Sequence, residues 1–90
     1  MNETLTEIET TKVQNLFMDK LSVRREQLTP DARIQEDLGA DSIDIVDIIM
    51  GLEEEFELTI ADDAADGVKT VGDVYSLLAK LLEKSAGAAQ

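Results

Sequence analysis

The sequence predicts an all-α fold of three main helices and one short helix, with a long loop between the first two helices. Three observations lead there. Apolar residues recur at helical spacing in three separate stretches. No stretch supports a β-strand. The chain is 43% hydrophobic but only 3% aromatic, with one proline. That is enough aliphatic material for a small helical core, and too much for a disordered acidic chain. Ninety residues make one domain.

Thr4 followed by Glu7 has the capping-box spacing and predicts a helix from about residue 4 to Lys20. Leu5, Val13, Leu16 and Phe17 gather on one side of it. The connection from Leu21 to Asp41 is long and contains Pro30 and Gly39. Leu28, Ile34 and Leu38 are placed to anchor it on the core, and loops of such length often carry function. Asp41 is a good N-cap for a second helix over about 42 to 57. Ile43, Val46, Ile49, Met50 and Leu52 through to Phe56 supply its apolar positions, and Ile45 and Ile48 add to the set. One buried stripe needs fewer, so some aliphatic surface is expected to face solvent or a partner. A short helix fits Asp62 to Asp66, closed by Gly67. Thr70, with Asp73 three residues on, caps the last helix, whose buried stripe is Val71, Val74, Leu77, Leu78, Leu81 and Leu82. The domain is expected to span residues 1–84, and residues 85–90 to fray as a flexible tail.

Charge is concentrated in one segment. The net charge is −12, and between Ile34 and Val68 there are twelve acids with no Lys or Arg. The remainder holds eight acids and eight bases and is formally neutral. Such a field attracts basic partners and repels nucleic acid and anionic membranes, so neither is an expected partner. The blander reading is a solvated face that keeps the protein soluble. With no cysteine and no histidine, thiolate metal sites, disulfides, Cys nucleophiles and His-based triads are excluded. Asp62 to Asp73 has the length of an EF-hand loop, but Ala64 and Asp73 stand where ligands are required, so no metal site is predicted. Without a charged-then-apolar opening or an apolar run of spanning length, a cytoplasmic location without membrane insertion is expected.

The run Leu38-Gly39-Ala40-Asp41-Ser42-Ile43 lies where the long loop becomes the second helix. A serine in the first helical turn has its hydroxyl near unsatisfied N–H groups, where a phosphodiester is favoured. Gly39 permits a tight approach of the loop, and Asp41 can cap the helix and help hold a divalent cation during phosphate transfer. No base in the composition activates Ser42 as a hydrolase nucleophile, so it reads as a modification site and the chain as no enzyme.

The stretch Glu36-Asp37-Leu38-Gly39-Ala40-Asp41-Ser42-Ile43-Asp44, continued by Met50-Gly51-Leu52-Glu53-Glu54-Glu55-Phe56, resembles the acyl carrier proteins of fatty acid synthesis. The family's Asp-Ser-Leu signature stands here as Asp41-Ser42-Ile43, and the likeness covers most of residues 13 to 82. It implies a four-helix bundle in which Ser42 carries 4′-phosphopantetheine, transferred from coenzyme A by a Mg²⁺-dependent phosphopantetheinyl transferase (a holo-carrier synthase). It also implies an acyl cavity, for which Ile43, Val46, Leu52, Phe56, Ile60 and Val71 are the wall candidates. Asp41, Asp44, Asp47, Glu53 and Glu54 align with acids presented to basic patches on fatty acid synthase or related pathway enzymes. The chain is expected to act as a monomer. Gly51 stands where the family usually has Ala, Ala61 where many members have Pro, and Ile45 where a small polar residue is common. Two alternatives stay open: an unmodified acidic docking module, and a carrier of aminoacyl or other specialised cargo in a dedicated pathway.

Overall fold

Residues 5–88 are described by a computed structural model, in which four α-helices and one turn of 3-10 helix supply the regular structure. Helix α1 spans Glu7–Leu21. Its capping box is Thr6 with Glu9: Thr6 Oγ1 accepts from the Glu9 amide at 3.1 Å, and Glu9 Oε1 accepts from the Thr6 amide at 2.9 Å. The helix expected from about residue 4 therefore begins at Glu7, with its cap at Thr6, and Thr4 lies outside the described residues. The same Thr-x-x-Glu pattern occurs twice in succession. The later copy leaves Leu5, just before the cap, packed against the core.

Val13 and Phe17 of α1 are fully buried, and α1 packs against α2 (Ser42–Phe56). Apolar positions outnumber what one stripe can bury, and packing sorts them. Ile48, Ile49 and Leu52 face the core, with Ile45 and Phe56 half-buried against it. Ile43, Val46 and Met50 stay 72%, 54% and 54% exposed. Gly51 faces α1, where a Cβ would come within 2.9 Å of a terminal methyl of Leu16. The missing side chain is thus filled by Leu16, which offsets the helix-propensity cost of about 0.5–1 kcal/mol.

The long loop is folded onto the core throughout. Arg25–Gln27 form the 3-10 turn, and Arg25 donates to Gln14 at 2.5 Å and to Asn15 at 3.3 Å on α1. Leu28, Ala32, Ile34, Leu38 and Ala40 are buried. Backbone bonds then tie the loop to the start of α4 (Val71–Ala88). The Ile34 amide donates to Lys69 O at 2.9 Å, Val71 to Ala32 O at 3.0 Å, and Gly72 to Pro30 O at 2.9 Å. Gly72 makes that approach possible, because a Cβ there would sit 2.9 Å from the Pro30 carbonyl oxygen, an atom of the backbone. Gly72→Ala is therefore expected to lower stability by about 1–3 kcal/mol despite the better helix propensity of Ala, as overpacked sites do. Urea unfolding checks it, and a neutral or stabilising result would contradict the contact.

Helix α4 is capped as its sequence predicts. Thr70 Oγ1 accepts from the Asp73 amide at 3.1 Å, and Asp73 Oδ2 accepts from the amides of Lys69 and Thr70 at 2.9 and 3.1 Å. Those amide donors, above all that of Lys69, hold the Asp73 carboxyl below the usual carboxylate range. Val71, Val74 and Leu78 are fully buried, and Leu77 and Leu81 pack on the same core. Helix continues to Ala88, past Ser85 where the tail was expected to begin; alanine-rich sequence is a good helix former, and residues 89–90 lie outside the described residues. Helix α3 is Asp62–Asp66. With those residues helical and Asp73 bound to two amides, the EF-hand-length window is folded as helix, turn and cap.

Candidate functional site

Ser42 is the first residue of α2 and is exposed. Asp41 precedes it in extended conformation and closes a reciprocal capping box: Asp41 Oδ1 accepts from the Asp44 amide at 2.9 Å, and Asp44 Oδ2 accepts from the Asp41 amide at 3.2 Å. The amides of Ser42 and Ile43 belong to the first helical turn and have no carbonyl one turn earlier to bind. They leave the helix terminus receptive to negative charge beside the serine hydroxyl. Gly39 sets up this arrangement through its backbone, with φ +76°. Space around it is open, so the requirement is the left-handed conformation rather than a tight approach.

A groove of about 1000 Å³ opens at Ser42. Along α2 it is lined by Ile45, Val46, Ile49, Met50 and Glu53, which recur at helical spacing from the serine. Ile60, Ala65 and Val68 contribute from beyond α2, and Arg33, Gln35, Glu36, Asp62, Asp66 and Lys69 give it a polar side. Of the expected wall residues, only Val46 and Ile60 line it. Leu52 and Val71 are buried in the core instead. Phe56 lies half-buried with the Lys12 ammonium 5.9 Å from its ring centre, and Ile43 points outward beside the serine. Counting 3, 4, 7 and 11 residues along the helix from Ser42 finds Ile45, Val46, Ile49 and Glu53. Ala65 and Val68 have no comparable sequence signal.

The five expected docking acids separate into two kinds. Asp41 and Asp44 cap the helix, and the Glu53 carboxylate accepts from the Ile60 amide at 2.8 Å. Asp47 and Glu54 are exposed and, among the described residues, hold no side-chain hydrogen bond or ion pair. They stand two turns apart on one face, near the exposed stripe of Ile43, Val46 and Met50. On the loop, Arg33 pairs with Glu36 at 3.2 Å and Asp37 at 3.3 Å. The Arg33 side chain, followed by its amide, draws the Asp37 carboxyl below its ordinary value.

A family model described as the phosphopantetheine attachment site matches residues 11–78. An acyl carrier protein of Clostridium perfringens is 48% identical over 73 residues, covering 81% of this chain and 96% of the relative. The chain belongs to the acyl carrier protein family. An acyl carrier protein of Syntrophobacter fumaroxidans is 42% identical over 69 residues, 77% of this chain and 85% of that one. Among solved structures, that of the acyl carrier protein from Enterococcus faecalis is similar with a TM-score of 0.73 and 28% identity, covering 90% of this chain and 99% of the other. The fold is the helical bundle of that family, and its cofactor is phosphopantetheine. Acyl carrier proteins are carriers, not catalysts, and act with phosphopantetheinyl transferases and biosynthetic enzymes. Among the described residues, no helix is long and apolar enough to cross a membrane.

Proposed function

We propose that Ser42 is the attachment residue for 4′-phosphopantetheine, and that the chain delivers acyl groups to the enzymes of fatty acid synthesis or a related pathway. The observation that carries this reading is the groove that begins at the serine and runs along its own helix face, so that a tether and its cargo share one entrance. When bound, the group supplies a terminal thiol that carries acyl chains as thioesters. Ser42 Oγ, exposed at the head of α2, would hold the phosphodiester where the unpaired amides of the first turn favour negative charge. Asp41 keeps one carboxylate oxygen on the Asp44 amide, which leaves the other for a divalent cation during transfer. Ile45, Val46, Ile49 and Ile60 shelter an apolar chain from water.

Incubation with coenzyme A, Mg²⁺ and a broad-specificity phosphopantetheinyl transferase is expected to add the mass of one phosphopantetheine. No gain, with the protein folded and another carrier modified in the same tube, would leave the unmodified docking module as the reading.

Docking falls to Asp47 and Glu54, whose charges are uncommitted, and to the aliphatic stripe beside them. Exposed ion pairs each contribute about 0.2–1 kcal/mol. Reversing both acids to Lys is expected to slow loading by roughly 3–10-fold at low ionic strength, from two lost pairs of that size. Added salt should narrow the gap as screening weakens the attraction. Loading rates of the double variant equal to the parent's at low salt would remove the steering role. Asp44 is a poorer choice for this test, because its reversal also breaks the cap of α2.

A further inference from the structure

Glu53 stands apart from the other acids of α2. It is half-buried, lines the groove, and its Oε2 accepts from the Ile60 amide at 2.8 Å. Its own carbonyl accepts from the amides of Glu57 and Leu58. One residue therefore holds most of the donors in the segment that leaves α2. That segment has a demanding backbone, since Glu57 is left-handed at φ 54°, a conformation other residues than glycine adopt at a cost. Ile60 is buried at its far end and is the segment's apolar contribution to the groove.

A carboxylate that meets a partner's cation must be free to turn toward it. For Glu53 to do so, the Ile60 amide, part-buried where the two meet, would lose its acceptor, which is unfavourable. Resting on Ser42 as the attachment residue and on the groove as the shelter of the cargo, we propose that Glu53 is a positioning residue. Its carboxylate fixes the Ile60 wall of the groove and thereby sets how well a carried chain is enclosed. Its place among the acids of the docking face is then incidental to partner binding.

The test compares the parent, Glu53→Gln and Glu53→Ala. Each is loaded from octanoyl-coenzyme A by the transferase, and cleavage of the thioester by hydroxylamine is followed by intact mass. Hydrogen exchange at the Ile60 amide is measured on the same proteins without the arm. Gln keeps a carbonyl oxygen for Ile60 but no charge, so Glu53→Gln is expected to stay within about threefold of the parent in both readouts. Glu53→Ala is expected to exchange the Ile60 amide and lose the thioester about tenfold faster, the size of effect a single intramolecular hydrogen bond carries. Thr6→Ala, which weakens the cap of α1 instead, should leave thioester cleavage within about twofold and so reports general loosening.

Equal losses in the Gln and Ala variants would overturn the proposal, because charge rather than position would then matter. Retained Ile60 protection in Glu53→Ala would overturn it too. A parent that cannot be loaded, or whose thioester is cleaved as fast as that of free octanoyl-pantetheine, would defeat the underlying reading and the proposal with it. The exchange measurement distinguishes the two failures, since it needs neither arm nor cargo.

Discussion

Ser42→Ala is expected to abolish the gain of phosphopantetheine completely while leaving the protein folded. The loss is total because the covalent bond has no other oxygen to form on at that position. Folding should be unaffected for equally local reasons. Ser42 is exposed, the cap of α2 is made by Asp41 and Asp44, and the Ser42 hydroxyl has no hydrogen-bond partner among the described residues. Alanine is also the better helix former, so stability should be unchanged or raised by a few tenths of a kcal/mol. Intact mass after the transferase reaction, with circular dichroism alongside, reads both halves. Ser22 is left-handed at the end of α1, and Ser76 and Ser85 lie within α4, so none of the three repeats the setting of Ser42. A mass gain that persisted in Ser42→Ala would place the attachment elsewhere and overturn the reading of the groove.

The largest effect on stability is expected from Phe17→Ala. Phe17 is one of only two phenylalanines in the chain and is 0% exposed, the largest of the fully buried side chains. It occupies the core at the face of α1 that meets α2. Removing a buried phenyl ring costs about 3–5 kcal/mol, through lost transfer energy and the cavity left behind. A domain of this size has a total stability of about 5–15 kcal/mol and belongs near the lower end. The substitution should therefore leave the chain marginal at room temperature. Urea unfolding should show a much lower midpoint with an unchanged slope. Phe56→Ala provides the contrast, since its ring is half-buried and packs beneath the exposed Lys12 side chain. A loss below about 1 kcal/mol for Phe17, or one no larger than for Phe56, would contradict the packing described for α1.

Much of the fold could be read along the chain, because capping and helical spacing are local properties. Asp41, and Thr70 with Asp73, marked the starts of α2 and α4, and each cap forms reciprocal bonds, Asp41 doing so with Asp44. Leu28, Ile34 and Leu38 marked a loop that would turn inward, since buried aliphatics in a polar connection must find a core. The same local logic failed where it offered two equivalent solutions. Thr4-x-x-Glu7 and Thr6-x-x-Glu9 both carry the capping spacing, and the structure uses the second, with Leu5 packed on the core.

Helix α2 exposes the deeper limit. Its apolar residues surround more of the helix than one neighbour can cover, so periodicity cannot say which of them are inside. Contact with α1 and the folded loop buries Ile48, Ile49 and Leu52 and leaves Ile43, Val46 and Met50 outward. The groove walls follow from that choice, which is why Leu52 and Val71 belong to the core and Ile45, Ile49 and Val68 to the groove. Glu53 illustrates the same point for charge. Its position along the helix groups it with Asp47 and Glu54, yet the chain returns seven residues later to place the Ile60 amide against it. Residue order carries the serine, its cap and the acidic segment, because each depends on neighbours in the chain. Which faces are buried, where the groove runs and which acids remain free depend on segments distant in sequence, and those meet only when the helices pack.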